Sequence, residues 1–126
     1  MSDASRIEYH LRSQVHGLSG HWRVRAARVK REREMGVRLV RMYKKHPAPP
    51  WILTITRVAP RALDDDNLAY ACKAIRDGIA EALGFRNDAD WQLVWRYAQR
   101  KGKPREYAIE LVIASAEWHD DSRVGT

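Results

Sequence analysis

An α+β fold is predicted: one small domain in which a mixed β-sheet carries helices packed on it, in the order β-α-β-α-β-β. Two observations predict it. Segments alternating apolar and polar residues with period two are interleaved with segments whose apolar residues recur at helical spacing. The 126 residues also amount to about one domain, long enough to bury a single core. The composition, 44% hydrophobic and 31% charged with five Trp and five Tyr, argues against disorder along most of the chain. The domain is placed at 1–116, and the polar stretch 117–126 is expected to fray.

The first strand is read in residues 5–14, where Ile7, Tyr9 and Leu11 alternate with polar residues. After the Gly/Ser stretch 16–20, a long basic helix is expected from His21 to Lys45, with Gly36 as a point where it could split. His46-Pro47-Ala48-Pro49-Pro50 cannot continue a helix, because proline lacks an N–H and biases its predecessor toward extended geometry. The β-branched run Trp51 to Val58 then reads as a buried central strand, ended by Pro60. Leu68, Ala71, Cys72, Ile75, Ile79 and Leu83 form one apolar face of a second helix, with Gly84 as its stop. Two alternating runs, 91–100 and 105–114, separated by Lys101-Gly102-Lys103-Pro104, predict a hairpin. On its first arm Trp91, Leu93, Trp95 and Tyr97 would share a face.

Several classes are excluded or disfavoured. No apolar run approaches the roughly 18 to 20 residues of a membrane span, and residues 1–10 lack a signal peptide's apolar core, so a soluble, cytoplasmic protein is expected. The lone Cys72 makes no intrachain disulfide, and no Cys/His cluster has zinc spacing.

Charge is more informative. The chain carries 23 Lys+Arg against 16 Asp+Glu, a net +7, which points to a polyanionic partner. Residues 1–48 hold 12 basic and 4 acidic side chains, a net +8, whereas residues 49–126 hold 11 and 12, a net −1. Arg23, Arg25, Arg28, Lys30 and Arg31 are dense enough to lie along phosphates, although a solvated helix face would read the same way. Lys101 and Lys103 at the expected hairpin tip are further candidate phosphate contacts.

The second part groups its acids. Asp64-Asp65-Asp66-Asn67 precedes the second helix, where Asp and Asn cap N-termini and complement the macrodipole. One cap needs one residue, and three adjacent carboxylates repel one another, a cost that a divalent cation would offset. In extended geometry Asp64 and Asp66 point to the same side and offer hard oxygen ligands to Mg²⁺. Asp88 and Asp90 form a second pair, and spacing leaves open whether the fold brings it to the first. Lys73 and Asp77, four apart, make either an ordinary helix ion pair or a cation aimed at a phosphate.

Leu63-Asp64-Asp65-Asp66-Asn67-Leu68, a helix bearing Lys73 and Asp77, and Gly84 followed by Asp88-Ala89-Asp90 together resemble the RusA-type Holliday junction resolvases, many of them encoded by phages and prophages. Ser19-Gly20-His21-Trp22 and the basic residues after it look like that family's N-terminal part, so the resemblance covers roughly residues 6–114. It implies a crossover junction endodeoxyribonuclease acting in DNA recombination and repair. Paired nicks would resolve four-way DNA junctions, with Mg²⁺ as cofactor, Mn²⁺ as a possible substitute, and a homodimer as the working unit. By the same resemblance Asp64, Asp66 and Asp90 would be catalytic, metal-binding carboxylates, with Asp88 competing for the third position. Counting from Asp66, the family's lysine position is occupied by Tyr70, and Lys73 lies about one turn later. Either Lys73 takes that role or the lysine is missing. The alternatives are a catalytically degenerate DNA-binding protein and a phage accessory or regulatory protein of the same fold.

Overall fold

The computed structural model describes residues 5–9 and 22–116. Elements follow the order β1 (Ser5–Glu8), α1 (Trp22–Arg41), β2 (Trp51–Ala59), α2 (Asp65–Ala71), α3 (Lys73–Ala82), β3 (Leu93–Lys101) and β4 (Ala108–Ser115). The four strands form one mixed sheet ordered β1-β4-β2-β3, as an α+β fold requires. Residues 10–14 of the expected first strand and the polar stretch 117–126 lie outside the described residues.

The apolar pattern of β2 fixes its place. Leu53 and Ile55 on one face and Ile52 and Val58 on the other are all buried, so this strand is central. β4 pairs with it antiparallel, Leu53 opposite Ile113, and β3 pairs with it parallel, Leu53 opposite Trp95. The predicted hairpin is therefore wrong: β3 and β4 flank β2 rather than each other. Residues 102–107 carry the chain across the end of β2, held there by the Gly102 N–H, which donates to the Ala59 carbonyl at 2.9 Å. A strand apolar on both faces gains most from two neighbours, and a six-residue connection is long enough to step over it.

The helices cover one face of the sheet. Met35, Leu39 and Val40 of α1, Leu68 of α2, and Ile75, Ile79 and Ala80 of α3 pack with Trp51, Leu53, Ile55, Leu93, Ile109, Leu111 and Ile113. Burying such side chains contributes about 1.5 to 3 kcal/mol each, and this layer sets the stability of the domain. Trp95 and Tyr97 join it at the edge, but Trp91 precedes β3 and is 75% exposed, contrary to the shared face expected for it.

Gly36 does not split α1. A Cβ there would lie 2.2 Å from the Ile75 carbonyl oxygen, and one at Gly78 would lie 2.0 Å from that of Arg33. The two glycines let α1 and α3 cross backbone to backbone, which outweighs glycine's poor helix propensity. Gly84 does end α3 as expected. Its φ is +92°, its N–H donates to the Glu81 carbonyl, and the Phe85 N–H donates to that of Ala80, a Schellman closure. The expected single second helix is interrupted at Cys72 (φ −92°, ψ 0°), yet the Cys72 N–H still reaches Leu68 and the Arg76 N–H still reaches Cys72. α2 and α3 therefore act as one bent rod.

Candidate functional site

The acidic turn sits between the end of β2 and α2. Asp64 is the N-cap residue, in extended geometry (φ −74°, ψ 165°), but its carboxylate caps no backbone N–H. Its Oδ1 instead accepts a hydrogen bond from Asn67 Nδ2 at 2.6 Å, and the Leu68 N–H is taken by the Asp64 carbonyl. Asp64, Asp65 and Asp66 are all exposed. Side-chain capping by Asp64 therefore does not account for the acidic run, and all three acidic residues stay exposed.

One turn further, charge is drawn together. Lys73 Nζ donates to Asp77 Oδ1 at 2.9 Å and to Asp88 Oδ2 at 2.8 Å. Arg76 Nε donates to the same Asp88 oxygen, and Arg76 Nη1 donates to the Tyr97 hydroxyl. The Arg76 guanidinium lies 5.6 Å from the centre of the Trp95 ring, and Trp95 Nε1 donates to the Asp88 carbonyl at 2.8 Å. Asp88 is only 8% exposed. Burial pushes its carboxyl pKa up, but the hydrogen bonds from Lys73 and Arg76 outweigh this and hold it below the ordinary carboxylate value. Lys73 is raised above its ordinary value, chiefly by the hydrogen bond to Asp88. It therefore serves as a fixed cation and not as a base near neutral pH.

The second acidic pair is divided in role. Asp88 is neutralised by two cations, whereas Asp90 uses Oδ1 to accept from the Gln92 N–H at 3.0 Å, shaping the turn into β3. Among the described residues no group of three or more His, Cys, Asp or Glu stands close enough to hold a metal ion together. The extended geometry expected to point Asp64 and Asp66 to the same side is not found, because Asp66 already lies in the first helical turn of α2; each remains an exposed hard-oxygen donor of the kind that holds Mg²⁺ together with waters and substrate phosphate. Asp88 and Asp90 are not grouped with them as a third ligand.

The basic residues are presented along α1. Arg23, Arg25, Lys30 and Arg31 are exposed and Arg28 is half-buried, as a helix continuing past its packed stretch would leave them. Lys101 ends β3 and Lys103 lies in the connection to β4, both exposed. Between α1, the α2–α3 junction and the sheet lies a cleft of about 320 Å³, bordered by Arg28, Glu32, Arg57, Tyr70, Lys73 and Asp77 among others.

Sequence reasoning missed Arg76 and Trp95 as partners of Asp88, and Tyr97 as a partner of Arg76. The spacing of Lys73, Arg76 and Asp77 put two cations and an acid within about one helical turn, and that was the available signal. No protein-family model, curated protein or solved structure matches this chain. Among the described residues no helix is long and apolar enough to cross a membrane.

Proposed function

We propose that this protein is a Mg²⁺-dependent, structure-selective endonuclease of the RusA type, cutting branched DNA as a homodimer. The observation that carries the proposal is the position of Lys73. It follows Asp66 by seven residues and Tyr70 by three, on one helical stripe, and is held between Asp77 and Asp88. Asp66 and a fixed cation on one stripe, with a second exposed carboxylate at the N-cap Asp64, suit a scissile phosphodiester: the acids would hold the metal and the lysine would face charge that develops on the phosphate. When bound, Mg²⁺ supplies a water of lowered pKa and a counter-charge for the phosphate oxygens. Asn67 restrains the Asp64 carboxylate, leaving its second oxygen available. The exposed cations from Arg23 to Arg31 would carry the DNA arms through phosphate contacts, and two copies would place one site on each of two strands.

A second reading, a DNA-binding protein without turnover, is favoured by the pairing of Asp88 with both Lys73 and Arg76 and by the lack of a three-carboxylate cluster among the described residues. A labelled four-way junction and a linear duplex, each incubated at low salt with Mg²⁺ or EDTA, separate the two. The nuclease reading expects paired nicks near the branch that need Mg²⁺. Tight junction binding with no cut in either metal condition would leave the binder.

A further inference from the structure

We infer that the cleft between α1 and the α2–α3 junction receives a single unstacked nucleotide. This rests on nucleic acid being the partner, and it goes further by assigning a subsite for a base that has left its helix. The argument begins with the buried stripe of α1. Residues 28, 32, 35, 36, 39 and 40 fall on one helical face, and the last four are buried Met35, Gly36, Leu39 and Val40. At Arg28 and Glu32 the stripe turns polar and half-buried, and both residues border the cleft.

The cleft is built as a small-molecule site is built, with an apolar floor and a few convergent polar groups. Its floor includes Ile75, Ile109 and Cys72, all buried. Burial pushes the Cys72 thiol up to about 11 and the Tyr9 hydroxyl up to about 12, and raises the Glu32 carboxyl, so three groups on its walls lack full hydration. Arg28 borders the cleft, and its Nε is buried with no hydrogen-bond partner in the protein. At the rim Tyr70 is 78% exposed, an aromatic ring unpacked by the domain itself.

A nucleobase complements this set. Its flat face stacks on an exposed aromatic ring, its carbonyl or ring nitrogen accepts from an arginine, and its amino group donates to a carboxylate. Charge complementarity favours a nucleotide over a neutral aromatic ligand. The exposed cations Arg25, Lys30 and Arg31 in the same half of α1 as Arg28 would favour a phosphate backbone near this cleft, and Arg57 borders it.

The test is binding in EDTA, so that cleavage plays no part. Wild type and the Tyr70→Ala, Arg28→Gln and Glu32→Gln variants are titrated with a DNA duplex containing one bulged 2-aminopurine and with the fully paired duplex, reading both affinity and 2-aminopurine emission. The bulged duplex is expected to bind about tenfold tighter to wild type with a changed emission, and each variant to lose most of that preference, while paired-duplex affinity moves less than about threefold for Tyr70→Ala and Glu32→Gln. Equal wild-type affinity for the two duplexes, or a preference that survives all three substitutions, overturns the inference. Circular dichroism melting identifies any variant that fails to fold, and the exposed Tyr70 keeps at least one variant informative. Bulge preference in a protein that never cuts a junction would sink the nuclease reading and leave this one standing. Junction cutting without bulge preference would do the reverse.

Discussion

In the C-terminal half of α1, Met35, Leu39 and Val40 are buried and Gly36 lies against the backbone of α3. In its N-terminal half, Arg23, Arg25, Lys30 and Arg31 are exposed, and even Val24 and Val29 face solvent. One regular helix thus anchors the domain at one end and presents cations at the other. The contrast predicts that stability and nucleic-acid binding separate along α1: substitutions near residue 36 should unfold the protein, and those near residue 25 should weaken binding and leave the fold alone.

The sharpest break should come at the crossing. Gly36→Ala and Gly78→Ala each force a methyl group against a carbonyl oxygen that belongs to a packed helix and cannot move alone, so each should cost about 3 kcal/mol in urea unfolding. A normal melting curve for both variants would mean that the helices do not approach this closely. Asp88→Asn should cost about 1.5 to 3 kcal/mol, because Lys73 and Arg76 lose their shared anion. This cost has a pH signature. Since the folded carboxyl is held below its unfolded value of about 3.9, the wild-type advantage should be complete above that pH and disappear as pH falls through the lowered folded value. A difference between wild type and Asp88→Asn that stays constant from pH 7 to pH 2 would show that the charge of Asp88 contributes nothing. The smallest effect on the fold should be that of Arg25→Gln with Arg31→Gln. Melting should stay within about 0.5 kcal/mol of wild type, while the slope of log affinity against log salt for duplex DNA drops by about 2.

Local chemistry was legible in the sequence wherever a residue's role depends on its chain neighbours. The apolar β2 run, the Gly84 stop and the burial of Cys72 all follow from spacing and backbone preference. What failed depends on distant partners. Residues 102–107 read the same whether the chain turns back beside β3 or steps over β2, and the outcome is decided by how much apolar surface β2 exposes on both faces. Gly36 read as a helix breaker because its partner, the α3 backbone around Ile75, lies 39 residues away. At the candidate site, the exposed acids and the Lys73–Asp77 pair were readable from spacing. The engagement of Asp88 by Arg76 was not, because it requires the loop after α3 to fold back onto that helix.

The proposed division between an acidic turn that cuts and a basic helix that holds is tested most directly by measuring junction cleavage and junction binding side by side for wild type, Asp66→Asn and Lys73→Ala. Wild type should nick both strands in Mg²⁺. Asp66→Asn should lose at least about a hundredfold in cleavage rate and Lys73→Ala about tenfold or more, while both bind the junction within about twofold of wild type. A wild-type protein that binds the junction and leaves it whole in Mg²⁺ and Mn²⁺, or an Asp66→Asn variant that cuts as well as wild type, would contradict the account.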